Sequence, residues 1–144
     1  MSSHRLYTPE VLAAAVSLAA RPLGDELPLR GDARSPSCGS RIELGLAVDD
    51  DGRVARVGIA SRACAIGQAS AAVFADHVVG LTADEIASAR SQMAAWLAGN
   101  GTMPDWPGLP LVAAARDYPA RHGAMMLAWD AACAALQREP RAAA

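Results

Sequence analysis

Apolar and polar side chains alternate twice between residues 41 and 60. In RIELGLAV (41–48) Ile42, Leu44, Leu46 and Val48 fall on one face, and in RVARVGIA (53–60) Ala55, Val57 and Ile59 do the same. A period of two marks a half-buried strand. The stretch Asp49-Asp50-Asp51-Gly52 between them predicts an antiparallel hairpin, with the three acids solvated in its turn. After Cys64 the period changes to that of a helix. Ile66, Ala69, Val73, Phe74 and Val78 share one face, and Gly80 ends the segment. A second helix opens on a capping box, Thr82 to Glu85, and closes at Gly99. The Gly/Pro-rich stretch 99–110 reads as loop, followed by a short helix near 109–116. Pro119 opens a last helix whose inner face is expected to carry Met126, Trp129, Cys133 and Leu136.

Upstream of the hairpin, Thr8-Pro9-Glu10 is a helix start: a capping hydroxyl, a proline at the first helical position, an acid at the positive end of the dipole. This helix runs to about Ala20 and is stopped by Pro22 and Gly24. Residues 24–40 read as loop, with a short strand near Glu26–Arg30. The order predicts an α+β domain: an N-terminal helix, a small antiparallel sheet of about three strands, then several packed helices. We expect one domain over residues 1–144, with its core at about 6–137 and a frayed tail at 138–144.

Composition narrows the function class. Hydrophobic residues make up 52% of the chain but aromatics only 4%, because much of the apolar content is alanine, which suits close-packed helices. A net charge of −2 and the lack of any Lys/Arg block argue against a nucleic-acid partner. No apolar run approaches the roughly 20 residues that span a bilayer, and MSSHRLYTPE has no secretory apolar core. The expected location is the cytoplasm, without membrane attachment. Three cysteines in a reducing compartment are buried, reactive or metal-binding rather than a disulfide framework.

The cysteines differ in setting. Cys133, four residues after Trp129 and three before Leu136, reads as a core thiol. Cys38 lies in a loop entering a strand, followed by Gly39, which lets backbone approach whatever the sulfur binds. Cys64 lies where a strand gives way to a helix, whose N-terminus favours the thiolate, the form that binds metal or attacks. A strand leaving from Cys38 and a strand returning to Cys64 bring both sulfurs to one end of the sheet. No Ser/His/Asp arrangement with any specificity stands out.

Three motifs then resemble a known family, the IscU/NifU/SufU scaffolds for iron–sulfur cluster assembly. SPSCGSRI matches N-P-x-C-G-D at Cys38 and Gly39. ACAIGQASAA matches G-C-A-I-S-x-A-S-A-S at Cys64, Ala65, Ile66, Ala69 and Ser70. PARHGAMMLAW matches P-A-R-V-K-C-A-T-L-A-W at Pro119, Ala120, Arg121, Leu127, Ala128 and Trp129. The resemblance covers about residues 6–137, and the long stretch before the third motif looks most like the SufU branch. It implies a site in which three cysteines and the aspartate after C-G hold zinc or a nascent cluster. Here the aspartate position is Ser40 and the third cysteine position is Ala124. Ligands are therefore implied only at Cys38 and Cys64, with Gly39 and Arg121 supporting; Arg121 either stabilises thiolates or pairs with an acid nearby.

Zinc and iron–sulfur clusters normally take four ligands. His122, two residues before Ala124, is a candidate third ligand or an exposed histidine at a helix start. His77, near a helix C-terminus, is placed for its charge, and His4 sits near the N-terminus. Cys133 is about 13 Å along a helix from Ala124, too far to substitute. A homodimer would instead supply four thiolates for a [2Fe–2S] cluster. The resemblance implies a divergent scaffold for iron, zinc or a transient [2Fe–2S] cluster, with a cysteine desulfurase and client apo-proteins as partners. A sulfur acceptor taking persulfide sulfur at Cys64 or Cys38, a metal-free regulatory paralogue, and a Cys38–Cys64 disulfide switch are the alternatives.

Overall fold

The computed structural model describes residues 6–137, so His4 and the tail at 138–144 lie outside the described residues. The elements run α1 (Pro9–Ser17), a 3-10 turn (Leu18–Ala20), β1 (Leu29–Arg34), β2 (Arg41–Val48), β3 (Val54–Arg62), α2 (Ala65–His77) and α3 (Ala83–Leu97). Two 3-10 segments, Leu109–Asp117 and Pro119–Arg121, then lead into α4 (His122–Leu136). This is the expected α+β order. α1 starts as expected, with Thr8 Oγ1 accepting from the Val11 N–H at 3.1 Å. The capping box at Thr82 and Glu85 is also present.

The sheet is antiparallel in the order β1-β2-β3. Ile42, Leu44 and Leu46 are fully buried on its inner face. α4 packs across β1 and β2 on that face, with α2 and α3 on its other sides. The approach is close because Gly31 of β1 has no side chain: a Cβ there would overlap the backbone of α4 at Ala131 O and Ala135 N. Behind α4, Trp129 meets Phe74 (5.2 Å, edge-on) and Trp106 (5.3 Å, edge-on), and Phe74 stacks on Trp106 at 5.4 Å. The Trp106 indole N–H donates to Val73 O at 3.0 Å, so its polar atom is satisfied inside the core.

Three local expectations are corrected. The first strand is Leu29–Arg34 rather than Glu26–Arg30. Its register comes from pairing with β2, Leu29 opposite Leu46 through Arg34 opposite Arg41, and not from any alternation of its own. Val48 and Ala55 are exposed rather than part of the buried apolar face: the β2–β3 register shifts between Ala47 and Val48, which pairs Val48 with Val54 at the end of the ladder and leaves Ala55 without a partner in it. The buried face of α4 is Ala124, Met125, Leu127, Ala128, Trp129, Ala131, Ala132 and Ala135, while Met126, Cys133 and Leu136 lie at its flank. An alanine-rich helix enclosed by sheet and helices has no single inner stripe. The Asp49 carboxylate accepts from the backbone N–H of Asp51 (2.9 Å) and Arg53 (3.0 Å), so it organises the hairpin turn.

Candidate functional site

The β1–β2 connection, residues 35–40, is a tight loop closed by Ser35 N–H to Ser40 O (2.7 Å) and Gly39 N–H to Ser35 O (2.9 Å). Gly39 has φ +72°, a left-handed conformation that glycine adopts without strain, and its missing Cβ faces open space. Cys38 is exposed at this loop. Cys64 is partly buried at the N-cap of α2, and its carbonyl accepts from Gln68 N–H at 2.9 Å. Because Arg41 pairs with Arg62, both cysteines sit just beyond the same end of the sheet. All three cysteines are free thiols.

Hydroxyls link the two cysteine segments. Cys38 Sγ lies 3.4 Å from Ser35 Oγ and 3.1 Å from Ser40 Oγ. Ser40 Oγ also accepts the backbone N–H of Cys64 at 3.3 Å. Ser35 Oγ in turn lies 3.2 Å from Ser37 Oγ. Ser35 and Ser40 are buried although the cysteine between them is exposed. Hydrogen bonds from Ser35 and Ser40 to the sulfur hold the Cys38 thiol below its ordinary pKa; the Arg121 guanidinium adds to this and burial opposes it. Burial pushes the Cys133 thiol up. Alkylation by iodoacetamide is therefore expected to rise at lower pH for Cys38 than for Cys133. Ser40→Ala moves the Cys38 profile to higher pH and leaves that of Cys133 in place. Coincident wild-type profiles for the two residues would contradict the geometry.

The start of α4 completes this end of the molecule. Ser37 Oγ donates to Ala120 O at 3.1 Å. A Cβ on Gly123 would lie 2.5 Å from Ser35 Oγ, and a Cβ on Gly67, in the first turn of α2, would lie 3.5 Å from Ala124 Cβ. The N-terminus of α4 is thus wedged between the Cys38 loop and the Cys64 helix, and the three sequence motifs converge. Arg121 donates to the Tyr7 hydroxyl at 3.4 Å, and its charge is further favoured by Cys64 and Cys38. No carboxylate pairs with it among the described ion pairs.

Residues 20–139 match the family described as NifU-like N terminal domain. The chain belongs to this family. The crystal structure of a nitrogen-fixing NifU-like protein (N-terminal) from Brucella abortus superposes on the NifU-like domain with a TM-score of 0.83 at 32% identity, covering 93% of this chain and 94% of that one. An iron–sulfur cluster assembly scaffold protein for the SUF system from Fervidobacterium islandicum AW-1 superposes with a TM-score of 0.83 at 20% identity, covering 94% and 100%. No curated protein matches the sequence.

On this NifU-like framework, Ser40 and Ala124 are both buried at the cysteine end. His122 Nε2 lies 2.6 Å from Arg116 O, a hydrogen bond to the preceding 3-10 segment. Among the described residues no group of three or more His, Cys, Asp or Glu is arranged to hold a metal. Two thiols do not fill a four-ligand site, so the residues of one chain do not fit a closed zinc or cluster centre. The residue that sequence reasoning missed is Ser35. The only hint was the serine clustering in SPSCGS, and its contact with Cys38 depends on how the loop closes. Among the described residues no helix is long and apolar enough to cross a membrane.

Proposed function

We propose that the chain acts in iron–sulfur cluster assembly as a divergent scaffold, holding iron or a nascent [2Fe–2S] cluster through Cys38 and Cys64. One observation carries this reading: two free cysteines at one end of the sheet, the sulfur of Cys38 linked through the Ser40 hydroxyl to the backbone N–H of Cys64, beside an arginine that no described carboxylate neutralises. The family and the similarity to a NifU-like protein and to a scaffold protein of the SUF system support it. The cluster is cargo, and half of its ligands come from outside the chain, from a second copy or from the acceptor. Incomplete ligation suits a protein that must release what it holds. The cytoplasm and a cysteine desulfurase as sulfur source belong to the same reading.

A second reading is favoured by the exposure and lowered pKa of Cys38. As a thiolate, Cys38 would attack the outer sulfur of a donor persulfide. The donor's S–S bond breaks, a new S–S bond forms on Cys38, and the donor leaves as its thiolate. No metal is needed for this exchange.

The test is iron, zinc and acid-labile sulfide per protomer, with oligomeric state, on protein purified without oxygen. Under the scaffold reading the wild type holds iron and sulfide near one cluster per dimer, and Cys38→Ser with Cys64→Ser abolishes both. Cluster on a strict monomer would exclude completion by a second copy. Absence of iron and sulfide, with persulfide forming on Cys38, would replace the scaffold by the sulfur-acceptor reading.

A further inference from the structure

The sheet register places three arginines side by side next to the cysteines. Arg34 of β1 is the direct partner of Arg41 of β2, which is the direct partner of Arg62 of β3. Directly opposed residues share a face, so the three side chains form one row across the outer face, opposite to Ile42. All three are exposed. The row is the last of the sheet: Arg34 and Arg41 bracket the Cys38 loop, and Arg62 stands two residues before Cys64. Arg121 adds a fourth cation at this end through its electrostatic contact with both cysteines.

The segments that build this end contain no acid. Residues 33–42, 60–75 and 118–129 hold neither Asp nor Glu, in a chain whose net charge is −2. The next row of the sheet holds carboxylates: Asp32 pairs with Glu43 in register, and Glu43 reaches Arg41 at 3.5 Å. Two carboxylates in that row stand against three guanidiniums in the last one, and Arg121 adds a cation beside the cysteines. A concavity of about 320 Å³ opens between Arg41, Glu43, Ala60 and Arg62. Like charges directly opposed across strands destabilise a sheet. Three in register therefore gain nothing from one another, and of the three only Arg41 has a described carboxylate partner within the fold, Glu43.

We infer that this arginine row is a docking face for an acidic segment of a partner protein, which it draws onto the cysteine end of the domain. The occupant that complements it is a run of Asp and Glu side chains: guanidinium forks pair carboxylates in bidentate fashion, and a one-signed patch speeds encounter. The partner's role in exchange rests on the proposed function, but the charge recognition does not.

The test uses the full chain and a fluorescein-labelled oligo-glutamate peptide, with oligo-lysine and a single-stranded oligonucleotide as comparison probes, followed by anisotropy. The wild type is expected to bind oligo-glutamate at low salt, more weakly as salt rises, and to ignore oligo-lysine. Arg34→Gln with Arg41→Gln and Arg62→Gln should weaken binding by about tenfold or more. Arg53→Gln with Arg56→Gln, at the other end of β3, should leave it nearly unchanged. Removing opposed like charges should not lower the melting temperature of the triple variant; if that variant fails to fold, Arg41→Gln alone and the salt dependence decide. Binding that is equal in the triple variant, equal for oligo-lysine, or confined to the oligonucleotide overturns the inference. A wild type that binds the peptide but never acquires iron or sulfide would sink the scaffold reading and leave the docking face standing.

Discussion

Under the proposed scaffold reading, Ser40→Asp combined with Ala124→Cys is expected to tighten zinc binding by about 100-fold or more, because it puts a carboxylate and a thiolate at the two positions where the resemblance implies ligands. The structure bears on both positions. Ser40 Oγ is 3.1 Å from Cys38 Sγ, so a carboxylate on that residue stands within reach of a metal on the sulfur. Ala124 is buried at the start of α4, against the first turn of α2 that follows Cys64. Filling that space with sulfur costs on the order of 1–3 kcal/mol in the metal-free protein, since the neighbours must shift. Ser40→Asp alone removes a hydroxyl that donates to the Cys38 thiolate and puts a negative charge beside it. The metal-free single variant should therefore show Cys38 alkylation moved to higher pH, while the double variant gains metal. Competition titration with a chromophoric chelator reads the affinity. A double variant that folds, by its circular dichroism, yet binds no more zinc than wild type would show that these positions do not converge on one metal.

Trp129→Ala is the second large effect, a loss of about 3–5 kcal/mol in unfolding free energy. Trp129 is fully buried and touches both Phe74 and Trp106, so its removal opens a cavity where three rings now close the space behind α4. Domains of this size hold roughly 5–15 kcal/mol in total. A fall in melting temperature of about 10 °C or more is therefore expected, read by thermal circular dichroism. Gly31→Ala should destabilise for the opposite reason: its Cβ would overlap α4 backbone, which has no rotamer by which to yield. Leu12→Ala, at an exposed position of α1, is the control and should stay within about 0.5 kcal/mol. Comparable losses for Leu12 and Trp129 would contradict the described core.

Much of this site was legible in advance, for local reasons. The alternation of Ile42, Leu44 and Leu46 marked the hairpin, and the change of period at Cys64 marked the start of α2. Those two boundaries were enough to bring Cys38 and Cys64 to one end. The β1 register was not legible, since Gly31, Asp32 and Arg34 break any alternation and the pairing with β2 chooses the residues. The buried face of α4 was hidden by alanine, which is equally apolar on every side. His122 was read by its distance in sequence from Ala124, but the carbonyl that captures its ring belongs to Arg116, in a segment whose path the sequence left open.

The sequence by itself determined the order of elements, the placement of two thiols at their ends and the family motifs around them. Backbone periodicity and capping act over a few residues, so a single segment carries that information. The tertiary structure alone decided what surrounds the sulfurs: Ser35 and Ser40 on Cys38, Ala124 against the start of α2, and Arg34, Arg41 and Arg62 in one row. Those neighbours come from strands and helices far apart in the chain. They meet only because pairing register and the close approach of α4 at Gly31 fix how the segments pack.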